Sequence, residues 1–67
     1  MKISYKKLRL LLVENNMNKT ELKEKIGISS STLAALSADR NVSLNVLLKI
    51  CEYFKCDISS IMEVIHE

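Results

Sequence analysis

The chain has 67 residues, of which 48% are hydrophobic, with a single glycine, no proline and a net charge of +2. A chain of this length folds around one small core, so residues 1–67 are expected to form a single domain, without room for separate catalytic and regulatory parts. The scarcity of glycine and proline excludes a disordered chain and a β-sandwich with many tight turns.

Several other protein classes are also unlike this sequence. No apolar run approaches the ~18 residues of a membrane span, and the N-terminus has no signal-peptide pattern, so we expect a soluble cytoplasmic protein without membrane contact. The two cysteines, Cys51 and Cys56, are too few for a disulfide framework and are expected to be buried free thiols. With no glycine-rich phosphate loop, Cys–His pair or metal-ligand spacing, the sequence predicts no enzyme, cofactor, metal or small-molecule ligand.

Charge is unevenly distributed along the chain. Residues 1–40 contain eight Lys or Arg and four acidic residues, giving +4, whereas residues 41–67 contain two Lys and four acidic residues, giving −2. A basic part and a mildly acidic part favour contact with a polyanion on one side of the molecule.

The first predicted helix covers about residues 4–15. Ser4 is a suitable N-cap, and an apolar face follows at helical spacing: Tyr5, Leu8, Leu11 and Leu12. We expect Tyr5 to pack on this face with its hydroxyl at the surface.

The second predicted helix begins at Asn18 and ends at Gly27. Asn18 and Glu21 have the spacing of a capping box, in which each side chain bonds the backbone N–H of the other residue. Gly27 follows the last apolar residue, and glycine is the usual stop signal because it reaches positive φ without steric cost. The lysines on the outer face of this helix are expected to be solvated: Lys23 and Lys25.

The third predicted helix covers about residues 30–37, with Ser29 as its N-cap and Leu33 and Leu36 facing the core. A polar loop at residues 38–41 follows it.

Two further helices are predicted from their caps and apolar faces. Ser43 caps the fourth helix. Leu48 and Ile50 flank its expected core stripe, which consists of four residues: Leu44, Leu47, Cys51 and Phe54. Asp57 caps the fifth, whose expected apolar face consists of Ile58, Ile61, Met62 and Ile65. Since no alternation of period two is visible, the sequence predicts an all-α fold of five short helices.

The second and third helices form a helix-turn-helix pattern. They are joined by a short turn with a glycine, and Ile28 is an apolar plug for its corner. Such a unit presents the N-terminal turn of the third helix outward, and small side chains on that helix would allow close approach to a DNA groove.

Residues along most of the chain carry a family resemblance: Asn18 to Leu22, Ile26 to Ser29, Ser31 to Leu33 with Leu36, Val42 to Leu44, Leu47 to Cys51 and Cys56 to Ile58. In these residues the sequence resembles the Cro/cI-type (XRE-like) helix-turn-helix family of bacterial and phage repressors. The resemblance implies a lambda-repressor-like DNA-binding domain. It also implies a sequence-specific regulator of transcription, a repressor, whose recognition helix, about residues 30–37, enters the major groove of double-stranded DNA.

The resemblance also implies the DNA contacts by position. Lys19 matches a position that contacts a backbone phosphate, and Arg40 and Asn41 lie in a loop that does the same. The positions implied to meet base edges or nearby phosphates are Ser29, Ser30, Ser31, Thr32 and Ala35. Short hydroxyls can bond to any base edge, whereas Lys and Arg neutralise phosphates.

Two departures from the family pattern concern the DNA side. The usual Asn-Gly after the third helix is Ala38-Asp39 here, which places an acid near the expected DNA face. The third helix also lacks long base-reading side chains, so a moderate specificity that depends on DNA shape is expected.

Two expectations concern protein partners. We expect a homodimer that uses the C-terminal helices. An alternative function is a small helical protein-interaction module, an antitoxin-like or phage-regulatory partner, with its contacts at Leu10 and Val13 or at Val46 and Tyr53.

Overall fold

The computed structural model describes residues 1–66 and contains, within them, four α-helices and a two-stranded antiparallel sheet. In chain order the elements are β1 (Lys2–Ser4), α1 (Lys6–Glu14), α2 (Lys19–Ile26), α3 (Ser30–Ser37), α4 (Leu44–Phe54), a single 3-10 turn (Ile58–Ser60) and β2 (Glu63–Ile65). Within this described part, no helix is long and apolar enough to cross a lipid bilayer.

The chain is mostly helical, but the prediction of a fifth helix is wrong. Asp57 does act as a cap, because its Oδ2 accepts hydrogen bonds from the Ser59 N–H at 3.3 Å and the Ser59 hydroxyl at 2.8 Å. The turn that it caps ends at Ser60, and the chain then becomes extended. Ile61 is fully buried, whereas Ile65, expected on the same helical face, is 42% exposed.

The expectation that the fold has no strand is also wrong. β2 pairs with β1 from the other end of the chain, and Ile3 lies opposite Val64. Ser4, the predicted cap of the first helix, is instead buried at the end of β1 and accepts a hydrogen bond from the Lys6 N–H at 3.2 Å. Three-residue strands are too short to show an alternation of period two, and their stability comes from packing against the rest of the molecule.

The core lies between the four helices and the 3-10 turn. Its buried apolar residues are Tyr5, Leu8, Leu12, Leu22, Ile28, Leu36, Leu47, Ile50 and Ile61. On α4 the predicted stripe is rotated from the observed one, since Leu44 is 62% exposed and Ile50 is fully buried. Leu44 is the first residue of α4 and lies beyond the edge of the core, whereas Ile50 follows Leu47 by one helical turn.

The helix caps predicted for α2 and α4 are confirmed. The Asn18 side chain accepts from the Glu21 N–H at 2.8 Å, and Glu21 accepts from the Asn18 N–H at 3.3 Å. The Ser43 hydroxyl accepts from the Val46 N–H at 3.2 Å. These bonds stabilise N–H groups that have no partner inside the helix.

Candidate nucleic-acid interface

The turn between α2 and α3 depends on Gly27. This residue has a φ of 69°, and its N–H and that of Ile28 both donate to the Lys23 carbonyl, at 2.9 and 3.2 Å. A Cβ added at Gly27 would meet no atom within 4 Å. Glycine is therefore favoured by the backbone conformation and not by lack of space, and the turn predicted here is confirmed.

Apolar contacts hold α2 and α3 in the body of the protein. Leu22 of α2, Ile28 of the turn and Leu36 of α3 are all buried. One side of α3 is therefore fixed, and its other side remains in water; the exposed residues there are Ser30, Ser31, Ala34 and Ser37. The structure thus presents a rigid helix with small side chains on its outer surface.

Hydroxyl groups surround the N-terminus of α3. The Ser29 Oγ accepts the Thr32 N–H at 3.2 Å, which confirms Ser29 as the N-cap. The same oxygen lies 2.9 Å from the Thr32 Oγ1 and 3.0 Å from the Ser31 Oγ. These three residues form one hydrogen-bonded group at the positive end of the helix dipole, where negative charge is favoured.

Lys23 adds a positive charge to this end of α3. Its Nζ donates to the Ser30 Oγ at 2.8 Å across the turn. Lys23, expected on the solvated face of α2, is half-buried and its side chain reaches α3, whereas Lys25 is exposed. The sequence does carry a local signal for this contact, since the two residues flank the predicted turn.

The other predicted contact residues lie in three places. Lys19 is exposed on the first residue of α2, and Ala35 is half-buried in the second turn of α3. Arg40 and Asn41 are exposed in the loop between α3 and α4. The structure therefore brings the N-terminal residues of α3 into one group and places the loop residues in a separate segment.

Asp39 does not direct a free carboxylate at the expected DNA face. Its Oδ1 accepts hydrogen bonds from the Tyr5 N–H and the Arg9 Nη1, each at 2.9 Å. The hydrogen bond from Arg9, with that from Tyr5 next in size, lowers the pKa of Asp39 below its usual value, so the ion pair remains charged at neutral pH. Asp39 has a φ of 56°, a left-handed conformation that Asp tolerates better than most residues.

A second bond ties α1 to the same loop. The Tyr5 hydroxyl donates to the Arg40 carbonyl at 2.8 Å, so the expectation of a surface hydroxyl is wrong. Burial has the largest effect on the pKa of Tyr5 and raises it above its usual value. Sequence reasoning missed the roles of Tyr5, Arg9 and Asp39 in holding this loop, because their contacts join residues 30 or more positions apart.

Comparisons with known proteins agree with this geometry. The profile of the Cro/C1-type helix-turn-helix DNA-binding domain matches residues 7–67. The chain is similar to a solved structure, the crystal structure of transcriptional regulator VanUg, with 50% sequence identity and a TM-score of 0.93. That similarity covers 98% of this chain and 88% of the other. A comparison with curated proteins gives no match.

Proposed function

We propose that this chain, which belongs to the Cro/C1-type helix-turn-helix DNA-binding domain family, regulates transcription by binding specific sites on double-stranded DNA. The observation that carries the proposal is the exposed N-terminal turn of α3, fixed by the Gly27 turn and surrounded by hydroxyl groups. In this proposal α3 is the recognition helix, lies in the major groove, and represses transcription by occupying the site. The regulator VanUg, which is 50% identical, supports the same class of function.

The proposed contacts divide into phosphate contacts and base contacts. Lys19, Arg40 and Asn41 contact phosphates, and Lys23 adds positive charge beside the start of α3. The residues proposed to meet base edges or adjacent phosphates are Ser29, Ser30, Ser31, Thr32 and Ala35. Because these side chains are short, direct readout consists of hydroxyl bonds and a methyl contact, and DNA shape supplies further specificity.

The geometry also supports a homodimer on a symmetric site. One short helix and a few phosphate contacts bind weakly, and two copies on half-sites about 34–36 Å apart would combine their affinities. The exposed apolar residues of α4 and of β2 are the candidates for contact with the second copy: Leu44 and Leu48, and Val64 and Ile65. Sedimentation equilibrium over a concentration series tests this, and a strict monomer at high concentration, both free and on DNA, contradicts it.

A protein-interaction module is the second candidate function. It is supported by Leu10 and Val13, which are 52% and 71% exposed on one side of α1. Of the other predicted pair, Val46 is half-buried and packs against the core, so that surface is smaller than the sequence suggests. A chain that binds no duplex and loses a protein partner on Leu10→Asp would favour this function.

Selection from randomised duplexes at low salt tests the DNA function, followed by a salt titration of the enriched site. We expect a sequence motif to emerge and the affinity to fall steeply as salt rises. Lys19→Ala and Arg40→Ala should each weaken binding and reduce the salt slope by about 1. Lys49→Ala, which removes an exposed lysine from α4, is the matched control and should change neither quantity. The proposal is wrong if no duplex is enriched and the two DNA-side variants bind like the control.

A further inference from the structure

The C-terminus of α4 brings the two cysteines of the chain together. α4 ends at Phe54, Lys55 has a φ of 54°, and the Cys56 N–H donates to the Cys51 carbonyl at 3.0 Å. A hydrogen bond from the N–H of the sixth residue to the carbonyl of the first, with the fifth residue in the left-handed region, is the Schellman arrangement at a helix C-terminus. A contact between the side chains of these two positions is frequent in this arrangement, and here the Cys51 and Cys56 thiols are close enough to interact.

A continuous helix would keep the two thiols apart. Residues five positions apart differ by about 140° around a helix axis, at about 100° per residue. The left-handed conformation of Lys55 reverses the chain and removes this separation. The contact therefore depends on the way in which α4 ends.

Both thiols are free and half-buried at the edge of the core. Burial has the largest effect on the pKa of Cys51 and raises it, and the neighbouring Cys56 raises it further. An effect of one thiol on the other requires that they be close. Since neither is fully buried, a small reagent in solution can reach the pair.

We propose that Cys51 and Cys56 form a dithiol site that closes to an intramolecular disulfide by exchange with a small disulfide such as oxidised glutathione. The Cys56 thiolate attacks one sulfur of the reagent, forming a mixed disulfide and releasing one glutathione thiolate. The Cys51 sulfur, whose thiolate is disfavoured because burial raises its pKa, then attacks the Cys56 sulfur and releases the second glutathione as its thiolate. The protein loses two hydrogen atoms and is oxidised, and the reagent is reduced to two glutathione thiolates, which take up the two protons that the protein thiols lose to become two thiols.

The disulfide would join the end of α4 to the segment that contains the 3-10 turn and β2. Only a short loop is closed, so restriction of the unfolded chain contributes little, and the native geometry of the pair decides the stability of the bond. The equilibrium constant for disulfide formation is larger in the folded chain than in the unfolded chain by some ratio. By thermodynamic linkage, forming the disulfide raises the folding equilibrium constant by the same ratio.

The test is incubation of the full folded chain with oxidised glutathione, followed by acid quenching, alkylation and trypsin. Trypsin cleaves after Lys49 and Lys55, so the two cysteines fall in different peptides, residues 50–55 and 56–67. We expect these peptides to be disulfide-linked, and the intact chain to lose the mass of two hydrogens. Cys51→Ser and Cys56→Ser are matched controls and should each retain one glutathione. The proposal is wrong if the parent retains glutathione without a link, or if the link joins two chains.

A second measurement tests the geometry itself. We expect the oxidised parent to unfold at a higher urea concentration than the reduced parent, and a lower midpoint would overturn the proposal. Lys55→Gly keeps the left-handed conformation and should close at least as fast as the parent. Lys55→Val disfavours that conformation and should close several-fold more slowly, and equal rates for the two variants would contradict the geometry.

Discussion

The α2–turn–α3 unit and the surface formed by the two chain ends with the α3–α4 loop are stabilised in different ways. In the first, the deciding bonds join residues at most seven positions apart, as in the Asn18 capping box and the Lys23–Ser30 contact. In the second, they join distant residues, as in the Tyr5–Asp39 and Lys7–Ser59 bonds. Local bonds leave a pattern in neighbouring residues of the sequence, whereas distant bonds leave none.

The largest expected effect comes from the distant contacts of the C-terminal segment. Ile61 is fully buried after the 3-10 turn, so Ile61→Ala should lower the free energy of unfolding by about 2–5 kcal/mol. Ile65→Ala, at a residue that is 42% exposed in β2, should change it by only about 0.5 kcal/mol. Urea unfolding followed by circular dichroism measures both. Equal losses would mean that the segment does not pack as the structure shows.

The next largest loss of stability is expected at the turn between α2 and α3. Gly27→Val should lower the free energy of unfolding by at least about 1–2 kcal/mol, because a β-branched residue is strained at positive φ. The same variant should weaken DNA binding, because α3 is positioned by this turn. Gly27→Asn is the control, since Asn tolerates the left-handed region, and it should lose less of both. A Val variant with parental stability and affinity would show that the turn is placed wrongly.

A smaller loss of stability is expected for the N-cap residue Ser29, and it distinguishes this residue from nearby Ser31. Ser29→Ala should cost about 1 kcal/mol of unfolding free energy, because the Thr32 N–H loses its acceptor. Ser31→Ala should leave stability nearly unchanged and reduce discrimination between DNA sites. Urea unfolding and competition between the selected duplex and a mutated duplex measure the two effects. If Ser31→Ala lost as much stability as Ser29→Ala, Ser29 would not be the residue that caps α3.

The smallest effect is a pH dependence that compares a distant and a local carboxylate. The pKa values of Asp39 and Asp57 are both lowered in the fold, so each stabilises the fold above its unfolded pKa of about 3.9. That stabilisation is lost as the pH falls through the lower folded value. Asp39→Asn and Asp57→Asn should each make the melting temperature less dependent on pH between about 5 and 2.

DNA binding should distinguish these two variants. Asp39→Asn removes the ion pair with Arg9 next to the loop that carries Arg40, and should weaken binding to the selected duplex at neutral pH. Asp57 bonds only within its own turn in the contacts described above, and Asp57→Asn should bind like the parent. Equal DNA affinity for both variants would mean that the Asp39 bonds do not position the loop.

Sequence reasoning predicted most of the helices and the local part of the candidate site. The caps at Asn18, Ser29 and Ser43 and the stop at Gly27 are observed where they were expected. The contact residues assigned by family resemblance lie on exposed or half-buried positions of α2, the turn before α3, α3 itself and the following loop, and their DNA contacts stay predictions.

The misplaced features have a common physical cause. The segment after Asp57 has helical apolar spacing, but Ile61 is buried against the core and β2 finds its partner in β1. The inward face of α4 is likewise set by what packs against Ile50 and not by the first leucine of the helix. Hydrophobic periodicity indicates which residues can share one face of a helix. It does not indicate which other part of the protein packs against that face.

The sequence by itself determined that the chain is mostly helical and that α2 and α3 meet at Gly27, because backbone conformation and capping depend on adjacent residues. Only the tertiary structure decided that β1 and β2 pair as strands and that Asp39 forms an ion pair with Arg9. These features depend on which parts of the chain are neighbours after folding, and that information is not contained in any short segment.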